Sequence, residues 1–289
     1  MYESVAVSKS GQVGTVLFNR PERRNAHNWF VRRELKHAVA ELDADESVRA
    51  VVVGGVGRDF CAGADLVHGA ATFDAARFEA ERESAMARLP CSDSEFWEMS
   101  TPIIAAMSGA AVGVGITLAL EFDIRIADSD AKLGFIFNRR GVIPELNAHW
   151  LLPRLVGGAR ALELMLSGRM ISGQEAADIG LVSQAVPSGS SLLHAQRLAA
   201  DIATNTSPLS AALIKRLTYD LLEEPSRQSA SLVNKEAFEW ASQQADAVEG
   251  VQSFVEKRSP AWQVSKREAI GFMNERERNE DAAKDKMSE

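Results

Sequence analysis

Apolar and polar residues alternate in SVAVSK and again in VGTVLFN, and the Ser-Gly between them marks a turn, so the chain opens as a β-hairpin. Across residues 28–42 the period changes. Phe30, Val31, Leu35, Ala38, Val39 and Leu42 recur at helical spacing and predict an amphipathic helix. The short β-branched run 48-VRAVVVGG-55 then has the look of a strand buried on both faces of a parallel sheet. Residues 74–99 are charged and helical in pattern, with a break at Leu89-Pro90-Cys91 because a residue before proline is pushed out of the helical region. A strand in PIIAAMSG, a glycine-interrupted loop, a helix and the strand 123-DIRIAD-128 follow. Strands alternating with helices predict an α/β core with parallel pairing. Beyond about residue 191 the strand pattern stops, and LLHAQRLAADIAT, SPLSAALIKRLTYDLLEE and the stretch to Val255 are helical in period. The expected organisation is a core over 1–190, a helical region over 191–275 and a solvated, disordered charged tail over 276–289.

Composition narrows the class. The chain has 289 residues, 46% hydrophobic and 25% charged, which fits one globular core with a smaller appendage. A formal net charge of -8 gives no general attraction to nucleic acid or to an anionic membrane. Two cysteines, Cys61 and Cys91, make neither a disulfide framework nor a metal site. The N-terminus lacks the features of a signal peptide. The longest apolar stretch, 102–120, is broken by glycines, serine and threonine, as expected of a buried strand, loop and helix rather than a membrane span. A cytoplasmic protein is expected.

Two loops and one acid are the candidate chemistry. The first loop, 54-GGVGRDFCAGADL-66, follows a strand, and its glycines allow tight turns and close approach of backbone amides to a ligand. Its spacing is not that of a dinucleotide fingerprint, and no phosphate-loop lysine follows. The second, 108-SGAAVGVGITLAL-120, ends a strand and starts a helix near Val114 with further free amides. Two such loops meeting at one point would meet the physical requirement of an oxyanion hole. The acid is Glu145 in 141-GVIPELNAHW-150, open to two readings: a working acid–base group, or a first-turn glutamate after Pro144 that favours a helix start.

The stretches 18-FNRPERRNAHN-28, 59-DFCAGADL-66, 104-IAAMSGAAVGVG-115 with 122-FDIRIAD-128, and 153-PRLVGGARALELMLSGRMISGQEAADIGLVSQAVP-187 resemble the enoyl-CoA hydratase/isomerase, or crotonase, superfamily; 249-EGVQSFVEKRSPAW-262 resembles its closing segment. The resemblance implies a crotonase-like spiral of ββα repeats and a C-terminal helical trimerisation region, with homotrimers or hexamers made of paired trimers. It also implies an acyl-CoA thioester ligand whose carbonyl oxygen meets the amides of Ala64 and Val114. Val114 stands beside Gly113 where the family usually has a second glycine, which implies a narrower acyl site. Arg24, Ala26, Ala62, Asp65 and Leu66 match positions that line the CoA pocket, and Phe254 and Lys257 match residues that reach adenine or its phosphates. Coenzyme A is part of the substrate, so no separate cofactor is expected, and no metal, nicotinamide or flavin is implied.

The acids depart from the hydratase pattern. Typical hydratases hold one glutamate where this chain has Thr117 and another near Phe137. Hydration needs one group to activate water and one to deliver a proton. The place of Glu145 matches instead the single acid of the peroxisomal-type Δ3,Δ2-enoyl-CoA isomerases, and in the 4-chlorobenzoyl-CoA dehalogenase branch that place holds an aspartate nucleophile. An isomerase of fatty-acid or related CoA-thioester metabolism is therefore the first expectation. A hydratase using Glu145 with Asn147 or His149 is the alternative, and a non-catalytic thioester-binding scaffold is the second. His149, four residues after Glu145, is expected on the same helix face. Cys61 is expected to be a packing residue, Glu121 to lie too deep, and Arg139-Arg140 to be either solvated or near phosphates.

Overall fold

The computed structural model describes residues 2–90 and 94–288. The opening hairpin forms as β1 (Val5–Ser10) and β2 (Val13–Phe18), paired antiparallel. Helix α1 (Trp29–Ala44) starts at Asn28, whose side chain accepts from the Val31 amide, and it leads into β3 (Ala50–Gly55), parallel to β2. Helix α2 (Ala75–Arg88) ends just before the expected break, and Cys91 lies outside the described residues. Then come β4 (Ile103–Met107), β5 (Ala110–Val112), α3 (Val114–Leu120), β6 (Ile124–Asp128) and β7 (Lys132–Gly134). Helices α4 (Ala148–Val156) and α5 (Gly158–Ser167), β8 (Met170–Ser172), α6 (Gly173–Asp178) and β9 (Gln184–Val186) complete the mixed part.

The sheet order is β1-β2-β3-β4-β6-β9, with a second, three-stranded sheet β5-β7-β8. Side chains alternate between faces along each strand. On β3 and β4, Val51, Val53, Ile103 and Ala105 pack with Val31, Leu35 and Val39 of α1 and with Ile116 and Leu118 of α3. Val52, Ile104, Ala106 and Ile126 face the other way, onto Ala195, Ala199 and Ala203 of α7 (Ser191–Asn205). This corrects the expected boundary at 191, because α7 is the second cover of the sheet and belongs to the core. Helices α8 (Pro208–Glu223), α9 (Arg227–Ser242), α10 (Ala245–Glu256) and α11 (Arg267–Ser288) follow. A separate cluster joins Leu209 and Leu213 of α8 with Ala237 of α9 and Ala269 and Met273 of α11. The charged tail expected to be disordered is helical to Ser288, as the end of α11. Among the described residues no helix is long and apolar enough to cross a membrane. The architecture is the α/β crotonase fold.

Candidate active site

Both glycine-rich loops come to one place because their glycines let the backbones touch. Gly63 has φ +110 and Gly113 φ +57, conformations that side chains resist. A Cβ on Gly63 would stand 3.2 Å from the Val112 carbonyl oxygen, and one on Gly113 would stand 3.9 Å from the Gly63 Cα. Cys61 pairs with Ala111, its amide donating to Ala110 and its carbonyl accepting from Val112, which fastens one loop to the other. In the neighbouring bridge, the His27 amide donates to the Gly63 carbonyl and the Asp65 amide to the His27 carbonyl. That pattern leaves the Ala64 amide outside the ladder. Val114 opens α3, and a first-turn amide has no acceptor within its own helix.

A cavity of about 420 Å³ is lined by Ala64, Asp65, Val114, Glu145 and Leu146, together with the start of α1 and one face of α2. An adjoining cavity shares Ala64, Val114 and Glu145 and adds Ala62, Leu66 and Gly113. Phe137, where a second acid stands in typical hydratases, is a buried phenylalanine on the wall of that adjoining cavity.

Glu145 precedes α4 by three residues, so it is not a first-turn acid, and the helix-start reading falls. Its carbonyl accepts from the Ala148 amide. Leu146 and Asn147 follow with φ 53 and 57. Asn adopts the left-handed region readily, but a leucine there stores about 1–3 kcal/mol of strain. This turn also overrides the expected register with His149. His149 and Asn147 are both exposed, and neither lines the cavities, because the chain between Glu145 and His149 is not continuous helix.

The Glu145 carboxylate accepts from Thr117 Oγ1 at 2.9 Å. Protein around the carboxyl pushes its pKa above the ordinary 4.5, and the Thr117 hydroxyl and the positive Arg32 oppose that push. Glu145 is an exposed residue open to the cavity, while its carboxyl rests on Thr117 of the buried helix α3. The two other carboxylates on the wall are already engaged by arginines: Asp65 accepts from Arg20 at 2.7 Å, and Glu81 pairs with Arg77 at 3.4 Å. Glu145 has a hydroxyl partner instead. Thr117→Val is therefore expected to raise the Glu145 pKa further. Whatever reaction needs the ionised carboxylate is lost as pH falls through that pKa, so the acidic limb of the pH–rate profile should move to higher pH. An unmoved limb would show that the hydroxyl does not set this ionisation.

The remaining candidates separate. Arg24 binds Asp59 through Nε at 2.8 Å and Nη2 at 3.1 Å, and its carbonyl accepts from the Ala62 amide. The Ala26 carbonyl accepts from Arg20 Nη1 at 2.7 Å. Arg24 thus braces the first loop directly, Ala26 only through the Arg20 side chain that also holds Asp65, and neither residue lines the cavities. Phe254, 84% exposed, and Lys257, at the end of α10, do not line the site within one chain. Cys61 is buried and its thiol is pushed up to about 12 by that burial, which fits a packing role. Glu121 lies beneath the site, 3.6 Å from Arg32, and burial pushes it up to about 7. Arg140 lines the adjoining cavity, while Arg139 donates to the Ser167 carbonyl. The start of α1 was the part missed from sequence: His27, Trp29 and Arg32 all face the larger cavity.

A crotonase-fold core with paired glycine loops around a cavity defines a class of CoA-thioester protein, and the family match agrees. The family described as enoyl-CoA hydratase/isomerase matches residues 8–265, and this chain belongs to it. It is similar to an enoyl-CoA hydratase from Alternaria alternata, 36% identical over 90% of this chain and 86% of that protein. It is also similar to 1,2-epoxyphenylacetyl-CoA isomerase from Escherichia coli, 34% identical over 86% of this chain and 94% of that one. Among solved structures, a probable enoyl-CoA hydratase/isomerase from Mycobacterium abscessus superposes with a TM-score of 0.79 at 35% identity, covering 90% of this chain and 98% of that one.

Proposed function

We propose that this enzyme of the hydratase/isomerase type is a Δ3,Δ2-enoyl-CoA isomerase. The observation that carries the reading is the single unclaimed carboxylate, Glu145, in a cavity shared with Ala64 and Val114. Moving a double bond needs one base that takes a proton and gives it back. Ionised Glu145 removes a C2 proton from a 3-enoyl-CoA, and the electrons of that C–H bond flow into the thioester carbonyl. The resulting dienolate oxygen rests on the Ala64 and Val114 amides. Glu145 then returns the proton at C4, leaving the double bond between C2 and C3. A carboxyl with a raised pKa suits this shuttle, since it must accept and release the same proton near neutrality.

Hydration of a 2-enoyl-CoA is the second reading, favoured by the hydratase names of several similar proteins. In that case Glu145 both activates the water and supplies the proton, since Asn147 and His149 stand outside the cavity. Incubation with 3-enoyl-CoA and 2-enoyl-CoA separately, with products resolved by mass and chromatography, divides the two. The isomerase reading expects a product of unchanged mass from the first. A gain of water from the second, with the first left unconverted, would reverse the assignment. Coenzyme A enters with the substrate in either case, and no further cofactor is proposed. Assembly into trimers or hexamers belongs to the same proposal, supported by exposed apolar side chains on α9 and α10 such as Phe238 and Phe254, and light scattering measures it directly.

A further inference from the structure

Three residues at the entry to α1 share an unusual feature. His27, Trp29 and Arg32 all line the larger cavity, and His27 Nε2, Trp29 Nε1 and Arg32 Nη1 are buried with no hydrogen-bond partner. Arg32 is ion-paired without a close hydrogen bond: Nη1 stands 3.6 Å from Glu121 Oε2 and Nη2 3.9 Å from Glu95 Oε2. Those two carboxylate oxygens are likewise buried with no hydrogen-bond partner, so Arg32 has reach to spare while His27 Nε2 and Trp29 Nε1 have no counterpart. Buried polar groups are nearly always satisfied, so a cluster of unsatisfied ones beside a cavity calls for a ligand group. Phe73, Phe78, Val142 and Ile143 give the same cavity an apolar wall, and its charged side chains Asp65, Arg77 and Glu81 are already paired.

The chemistry of the missing partner follows from the three nitrogens. Indole and guanidinium N–H groups donate and cannot accept, so the partner must be an acceptor. His27 is held neutral, pushed down to about 3 by burial and by Arg32 and Arg20, so its Nε2 serves as donor or acceptor according to tautomer. Two acids, Glu95 and Glu121, already stand beside Arg32, and burial, with the charge of Glu95 adding to it, pushes Glu121 up to about 7. A carboxylate entering here would add a third acid to that cluster, whereas a neutral oxygen would not.

We infer that the cavity receives an acyl-CoA whose acyl chain carries a neutral acceptor oxygen, a keto or hydroxyl group beyond the thioester, held by Arg32 with Trp29 and His27 beside it. This rests on the thioester reading above and narrows it to oxygenated acyl groups. The three nitrogens are buried behind the cavity wall, so side-chain rotation is required to bring them to the bound oxygen.

The test is binding rather than turnover, so that it does not depend on which reaction occurs. Saturated medium-chain alkanoyl-CoA thioesters are compared by calorimetry with the same chains bearing one ketone oxygen walked along the chain, and with chains ending in a carboxylate. The best keto ligand should bind about 10- to 100-fold more tightly than its alkyl counterpart, the range for hydrogen bonds to a charged donor. Trp29→Phe removes one N–H while leaving an aromatic ring to pack edge-on against Phe78, and it should shrink that preference. Arg32→Met should abolish it. If Arg32→Met fails to fold because Glu121 loses its partner, the Trp29 variant still decides. Equal binding of alkyl and keto ligands, or a preference untouched by Trp29→Phe, overturns the inference and leaves the thioester reading standing. Tighter binding of the carboxylate ligand at neutral pH overturns the neutral-oxygen assignment. Binding of none of the thioesters overturns both.

Discussion

Glu145→Gln is expected to lower turnover by about 10²–10⁴, the usual contribution of a positioned acid–base group, while thioester binding survives. Glutamine keeps the shape of the side chain and still accepts from the Thr117 hydroxyl, but it cannot take a proton. The variant therefore separates a base from a residue that merely shapes the wall. Stability should move the other way. A carboxyl whose folded pKa lies above the ordinary 4.5 binds a proton in the folded state that the unfolded chain has released. Stability is thus lost as pH rises through that interval, and at neutral pH the ionised Glu145 works against the fold. Glutamine removes the charge, so the unfolding temperature at neutral pH should be unchanged or higher, and the difference should vanish well below the ordinary carboxylate pKa. Turnover retained in the folded variant would remove Glu145 from the mechanism, and with it the isomerase proposal.

The position of Glu145 illustrates how far local sequence reaches. Pro144 before an acid has the form of a helix entry, and nothing in ten residues distinguishes that from a loop holding a carboxylate over a cavity. The difference lies in Leu146 and Asn147, whose left-handed backbone delays α4 to Ala148. Leucine in that region is disfavoured on its own and persists because the surroundings impose it, so no propensity predicts it. The same turn explains why His149 left the expected face. Long periodic elements were legible: α1, β3, β4 and β6 lie where their patterns put them. Strands of three residues, β5, β7, β8 and β9, carry too little pattern to be seen. Helical period shows that a helix has an apolar face but not what covers it, so the pattern of α7 does not distinguish the sheet from the helical end as its partner. The cavity-facing residues of α1 were hidden similarly. Val31, Leu35 and Val39 announce the core stripe, while His27, Trp29 and Arg32 are ordinary polar and aromatic residues until α2 and the Glu145 loop close over them.

Gly115→Ala should be nearly as damaging as loss of the carboxylate, and for a different reason. Helix α3 rests directly on the first loop, and a Cβ on Gly115 would run into the Cys61 carbonyl oxygen and stand 2.9 Å from the Cys61 Cβ. Both neighbours are buried, and that carbonyl is already engaged by the Val112 amide, so neither can swing aside. The helix must move instead, taking the Val114 amide with it and separating it from Ala64. Overpacking of this kind typically destabilises by about 1–3 kcal/mol. Misplacing one oxyanion donor costs about 10²–10³ in turnover, or 2.7–4 kcal/mol of transition-state stabilisation. The proposed mechanism therefore expects turnover to fall far more than stability, with ground-state thioester affinity changing little, because the dienolate oxygen depends on the amides more than the neutral carbonyl does. Measuring turnover, thioester affinity and unfolding temperature on the same preparation distinguishes this from simple damage. A variant that loses stability but keeps its turnover would show that the Val114 amide holds no charge in the transition state, even if Glu145 remains the base.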